Sequence, residues 1–166
     1  MAVKNLFRLT PSLYRSAKLS RRDVAHLHEL GIRKVVSFRA FHSDRRILTG
    51  TGISVQRIPI NTWNIRDKEV LAALHALRHA ESDGPILIHC QHGADRTGMI
   101  CALYRIVYQN WSKEAAVNEL LNGGFGFHAI WKNILHYLEQ VDIESLQRQL
   151  VRISTTHGTA SPSPGP

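Results

Sequence analysis

The sequence predicts an α/β domain with a central, mostly parallel sheet flanked by helices. Three observations carry that reading. Short β-rich runs at residues 32–38, 53–60 and 85–88 are separated by helical segments. The run Pro85-Ile-Leu-Ile88 is apolar throughout, as in strands buried inside a parallel sheet. After Thr97 everything has helical periodicity. Strands interleaved with helices, then a helical finish, belong to a single α/β layer architecture.

Taken in order, Leu13–Ser16 reads as a short edge strand. Ser20 caps a helix running to about Leu30, where Gly31 stops it. Ile32–Phe38 and Ile53–Ile60 are β-rich. From Asp67 to about Glu81, Val70, Leu71, Leu74 and Leu77 recur at helical spacing. Met99, Ile100, Leu103, Ile106 and Val107 mark a helix ending near Asn110, and Ser112 caps another that stops at Gly123-Gly124. Ile130, Trp131, Ile134, Leu135 and Leu138 mark a third, read as continuing through Leu146 and Leu150. The domain is expected over residues 1–152. The small, polar, proline-rich residues 153–166 are expected to be a disordered tail.

Length and composition narrow the function classes. The 166 residues, 43% apolar and 20% charged, suit one soluble domain. No run approaches the roughly 18 apolar residues of a membrane helix, so no integral membrane segment is expected. Met1–Thr10 has no secretory apolar region. A chain that starts here would be cytoplasmic; one that has lost a leader would be periplasmic. The formal charge of +8 favours anionic partners. Lys and Arg occur in pairs such as Arg21-Arg22 and Arg45-Arg46, not in runs, so nucleic acid is not expected. Two cysteines, Cys90 and Cys101, make no disulfide scaffold. His75 and His79 stand one helical turn apart, but with no third ligand in view no metal is expected. A monomer is the expected state.

The chemistry lies in His89-Cys-Gln-His-Gly-Ala-Asp-Arg-Thr-Gly98. Cys90 follows a buried strand and Thr97-Gly98 opens a helix, at the strand end where α/β sheets bind ligands. A loop wrapping from Cys90 to Arg96 turns backbone N–H groups inward as an anion nest, and the helix adds its positive end. The same donors favour a thiolate over a thiol. Arg96 supplies a planar fork for two phosphate oxygens, and Gly93 permits close approach of backbone to phosphate. Gln91, His92, Gly93, Ala94, Asp95 and Arg96 are therefore the expected phosphate-binding residues. Thr97 is expected to donate to the sulfur.

His89-Cys90-(x5)-Arg96-Thr97-Gly98 resembles the signature of the protein tyrosine phosphatase superfamily, and the short chain is most similar to small bacterial dual-specificity phosphatases. Leu13-Tyr-Arg-Ser-Ala17, the strand end at Arg39 and Gly-Phe-Gly-Phe-His128 share that likeness. The resemblance implies a dual-specificity-phosphatase-like fold and cofactor-free hydrolysis through a phosphocysteine on Cys90. It implies phosphotyrosyl proteins as substrates, with phosphoserine and phosphothreonine after them. Phosphoinositides or inositol phosphates are the alternative, and a non-catalytic phosphate-binding module is a further one.

The family also needs a general acid, usually an aspartate upstream of the cysteine strand. Asp67 is the expected residue, although it also sits where it would cap the following helix. Asp95, inside the loop, is the rival, and Asp44 is a third and weaker candidate that reads more as a turn residue. His89 is expected to brace the loop and His92 to face its mouth. Phe125, Phe127 and His128 read either as pocket wall or as a helix cap with two core aromatics, and Trp63 shares that ambiguity.

Overall fold

A computed structural model describes residues 3–156 of the chain. Five strands form one sheet: β1 (Phe7–Thr10), β2 (Leu13–Ser16), β3 (Lys34–Ser37), β4 (Ser54–Arg57) and β5 (Ile86–His89), in the spatial order β1-β2-β5-β3-β4. Only β1 is antiparallel to its neighbour. The expected mostly parallel sheet is thus present, with one correction at its margin. Leu13–Ser16 is not an edge strand: β2 lies between β1 and β5, and all four of its residues are buried. The edge belongs to β1, a half-exposed strand that the sequence reading missed.

Alternation along the strands divides the core. Leu13, Val36, Ile86 and Ile88 point into one apolar cluster; Tyr14, Val35 and Leu87 point into another. Helices α1 (Val24–Glu29) and α2 (Arg45–Leu48) cover the second cluster, through Leu27 and Leu48. The first is covered by α3 (Asp67–Leu77), α5 (Arg96–Gln109), α6 (Lys113–Asn122), α7 (Lys132–Gln140) and α8 (Ile143–Thr156). Helix α5 is buried nearly all round and ends at Asn110, whose left-handed backbone (φ 57°) closes it.

Two expected helices are each broken in two. The 67–81 segment stops at Leu77, and a short α4 (Ala80–Asp83) follows, so His75 and His79 do not share one continuous helix. The third late helix breaks at Val141-Asp142, where Val141 turns extended and α8 restarts. The break lets Leu146 and Leu150 return to the same apolar cluster. Helix α8 carries the chain to Thr156; the rest of the expected tail lies outside the described residues. Before α1, Arg21–Asp23 form a 3₁₀ turn. There the Asp23 carboxylate accepts from the Ser20 amide at 2.6 Å and hydroxyl at 2.8 Å.

Register places the functional end. Ser16 on β2 and Ser37 on β3 both pair with His89 on β5, so three parallel strands finish side by side immediately before Cys90.

Candidate active site

The loop from Cys90 to Asp95 is shaped by donors outside it. The Cys90 carbonyl accepts from His89 Nδ1 (3.1 Å), Gln91 from the Lys18 amide (3.2 Å), His92 from Asn5 Nδ2 (3.0 Å) and Gly93 from Arg15 Nη2 (2.8 Å). In a trans peptide the carbonyl and the next N–H point in opposite directions. Four outward carbonyls therefore aim the amides of Gln91, His92, Gly93 and Ala94 the other way, into the cup. Gly93 has φ 71°, and a Cβ there would lie 2.3 Å from the Ser16 backbone. Only glycine fits between the loop and the end of β2.

Arg96 opens α5. Its Nη1 donates to the carbonyls of Phe38 (3.1 Å) and Ile60 (3.3 Å), just past β3 and β4. The guanidinium is thereby oriented, with other N–H groups left over. Thr97 is buried, and its hydroxyl meets no partner among the described residues, so the expected bond to the Cys90 sulfur is not formed. His89, fully buried, donates through Nδ1 to the Cys90 carbonyl and pairs through Nε2, at 2.5 Å, with Asp44 Oδ2. His89 thus braces the loop. Asp44 is buried as its partner and is more than a turn residue.

A cavity of about 410 Å³ lies over the loop and is lined by Cys90, Gln91, His92, Asp95 and Arg96. Trp63, Ile130 and Trp131 form its rim; the two indoles stack at 6.0 Å, and Trp63 is 69% exposed. Of the two leading acid candidates, the fold brings only Asp95 to this cavity. Its buried carboxylate accepts from the His128 amide (2.8 Å) and from His128 Nδ1 (2.8 Å). Asp67 stands exposed on the first turn of α3, outside the residues that line the cavity, and accepts from the Tyr137 hydroxyl at 2.7 Å. Burial, followed by this bond to Asp67, pushes the Tyr137 hydroxyl far above its ordinary range.

Several contributors were not legible beforehand. Arg15 is 1% exposed, stacks on Phe125 at 3.9 Å and holds Gly93; no local motif marks an arginine in a strand as a loop brace. Asn5, at φ 52°, ties the N-terminal segment both to the loop and to the Phe125 carbonyl. His128 belongs to the pocket wall, whereas Phe127 packs against the core. No group of three His, Cys, Asp or Glu able to hold a metal occurs among the described residues.

The family described as the Swiss Army Knife protein, DSP-PTPase phosphatase domain, matches residues 10–154. The chain belongs to this phosphatase family. It is 40% identical over 159 residues to the dual specificity protein phosphatase TpbA of Pseudomonas aeruginosa, covering 96% of this chain and 70% of TpbA. A crystal structure of TpbA superposes with a TM-score of 0.81 at 39% identity, over 89% of this phosphatase and 91% of that chain. A cysteine-to-serine variant of TpbA in complex with phosphotyrosine gives 0.80 at 39% identity, over 89% and 90%. The catalytic core of a PP-IP phosphatase from S. cerevisiae gives 0.77 over 97% of both chains, at 23% identity, and shares the phosphatase fold alone.

Proposed function

We propose that this phosphatase hydrolyses phosphotyrosine in proteins, with phosphoserine and phosphothreonine as lesser substrates, in two steps through Cys90. The observation that carries the reading is the composition of one cavity. Nucleophile, arginine and a buried carboxylate line it beneath a rim of stacked tryptophans. A flat aryl phosphate suits such a slot, since its ring packs on the indoles while its dianion meets the loop. The relative TpbA, with its phosphotyrosine complex, supports the same substrate class.

In the first step the Cys90 sulfur attacks phosphorus and the bond to the tyrosyl oxygen breaks. The loop amides and the free N–H groups of Arg96 hold the equatorial oxygens. The departing oxygen takes a proton from the Asp95–His128 pair, whose Oδ2 and Nδ1 lie 2.8 Å apart. In the second step water gives a proton back to that pair and attacks the phosphocysteine. Phosphate leaves, and the loop amides and the start of α5 stabilise the departing thiolate. Asp67 serves instead as an acidic first-turn residue of α3, held by Tyr137.

The leaving group tests this assignment. Removing a general acid costs typically 10²–10⁴-fold, and more for a poorer leaving group. Asp95→Asn is expected to slow phosphotyrosine hydrolysis within that range and an activated aryl phosphate far less. His128→Gln is expected to show the same pattern more weakly, and Asp67→Asn to change both substrates less than about threefold. If Asp67→Asn carries the leaving-group signature and Asp95→Asn does not, the acid lies at the start of α3.

A further inference from the structure

A second cavity of about 520 Å³ shares Gln91, His92 and His128 with the catalytic cavity. We infer that it is an anion subsite for a second negatively charged group on the substrate. It would favour phosphotyrosine that has a glutamate, an aspartate or another phosphorylated residue nearby in the peptide. The inference rests on the phosphatase reading above.

The argument begins with charge. Lys4, Lys18, His92 and His128 line this cavity together with Asn5 and Phe125, and no carboxylate lines it among the described residues. Neither lysine forms an ion pair among the described residues. An acidic group entering here meets two lysine ammonium groups that no ion pair neutralises among the described residues, whereas His128 is already paired with Asp95.

The cavity is also built from fastened pieces. The Lys4 carbonyl accepts from the Ala17 amide at 2.9 Å, and the Lys18 amide donates to the Gln91 carbonyl of the phosphate loop at 3.2 Å. Asn5 Nδ2 bridges the His92 and Phe125 carbonyls, 3.0 Å from each. Phe125 is itself clamped by Arg15 at 3.9 Å and by Phe7 at 4.8 Å. Both lysine backbones are thus fixed relative to the catalytic loop, so only their side chains need ordering when an anion arrives. The His92 and His128 rings, 5.3 Å apart, line both cavities. One substrate can therefore reach both.

The test compares wild type with Lys4→Gln/Lys18→Gln on four substrates: a neutral phosphotyrosyl peptide, its diglutamate and diphosphorylated counterparts, and p-nitrophenyl phosphate. Two partly exposed charge contacts correspond to about three- to tenfold. The double variant is expected to lose that factor in kcat/KM on the two anionic peptides and nothing on the other two substrates. In wild type the preference for the anionic peptides is expected to shrink as salt rises. Equal loss on all four substrates, or none on any, overturns the subsite. An inositol polyphosphate series run in parallel distinguishes the source of the anion. A loss confined to that series would overturn the peptide assignment. Failure of the wild type to hydrolyse any phosphotyrosyl peptide would instead refute the proposed function.

Discussion

Cys90 and Cys101 are both buried, yet only one sits beside a cavity. Cys90 lines the space over the loop, whereas Cys101 lies inside α5, where burial pushes its thiol up from the ordinary 9.0. Oxidation follows thiolate character and access, so the two should behave differently. Peroxide is expected to inactivate the enzyme through Cys90 and leave Cys101 a thiol. Cys101→Ala should neither slow inactivation nor change recovery by added thiols. Cys90→Ser should abolish turnover while orthovanadate still binds, because the loop donors persist. Peptide mapping checks this: a peroxide-induced Cys90–Cys101 crosslink would show that Cys101 protects the nucleophile. The same scale explains Arg15. A buried cation without a carboxylate partner among the described residues is costly, but here it faces the Gly93 carbonyl and the Phe125 ring.

Elements meet the loop through two glycines with different duties. Gly93 needs its backbone conformation as well as its lack of a side chain. Gly98, in the first turn of α5, needs only space: a Cβ there would lie 2.4 Å from Leu120 Cδ1 on α6. Gly98→Ala is therefore expected to push the buried Leu120 side chain out of place and to cost about 1–3 kcal/mol by chemical denaturation. Leu120→Ala alone opens a cavity and costs about 2–5 kcal/mol. Because each change relieves the other, the double variant should be more stable than the sum of the single losses, by about 1 kcal/mol or more. Strict additivity would mean that the two helices do not meet through this pair. Since α5 also begins with Arg96, catalysis should fall with Gly98→Ala and recover in part in the double variant.

At the scale of the whole molecule, α5 is also tied to α3 and α4 by tyrosines. Tyr108 donates to the Leu74 carbonyl at 2.8 Å and Tyr104 to Glu81 at 3.2 Å. Burial first of all holds both hydroxyls up at about 12, against the ordinary 10.0. The folded form thus keeps protons that the unfolded chain releases, and the stability they contribute is present below pH 10.0 and lost as pH rises toward about 12. Cys101 adds to the decline from about pH 9.0, whereas Lys34, lowered mainly by burial, acts in the opposite sense below 10.5. Urea midpoints are expected to fall steeply between pH 10 and 12, and Tyr108→Phe should flatten that fall. An unchanged slope in that variant would show that Tyr108 ionises equally in both states.

The sequence by itself determined the mostly parallel sheet, the ends of α5 and α6, and the identity of the Cys90 loop. Each is written locally. A short apolar run, a capping serine, a left-handed asparagine and a glycine-spaced loop act over a few residues, so their meaning does not depend on what lies far along the chain. The tertiary structure alone decided what surrounds the loop. It made β2 an interior strand, set Arg15 and Asn5 behind the Gly93 and His92 carbonyls, and paired Asp44 with His89 across 45 positions. It likewise drew Asp95 against His128, 33 positions on, and left Asp67 with Tyr137 outside the cavity. Periodicity records which face of an element is buried, but not which distant backbone bends back to meet it. A carboxylate becomes an acid candidate through its distance from the reacting atoms, and only the packed chain fixes that distance.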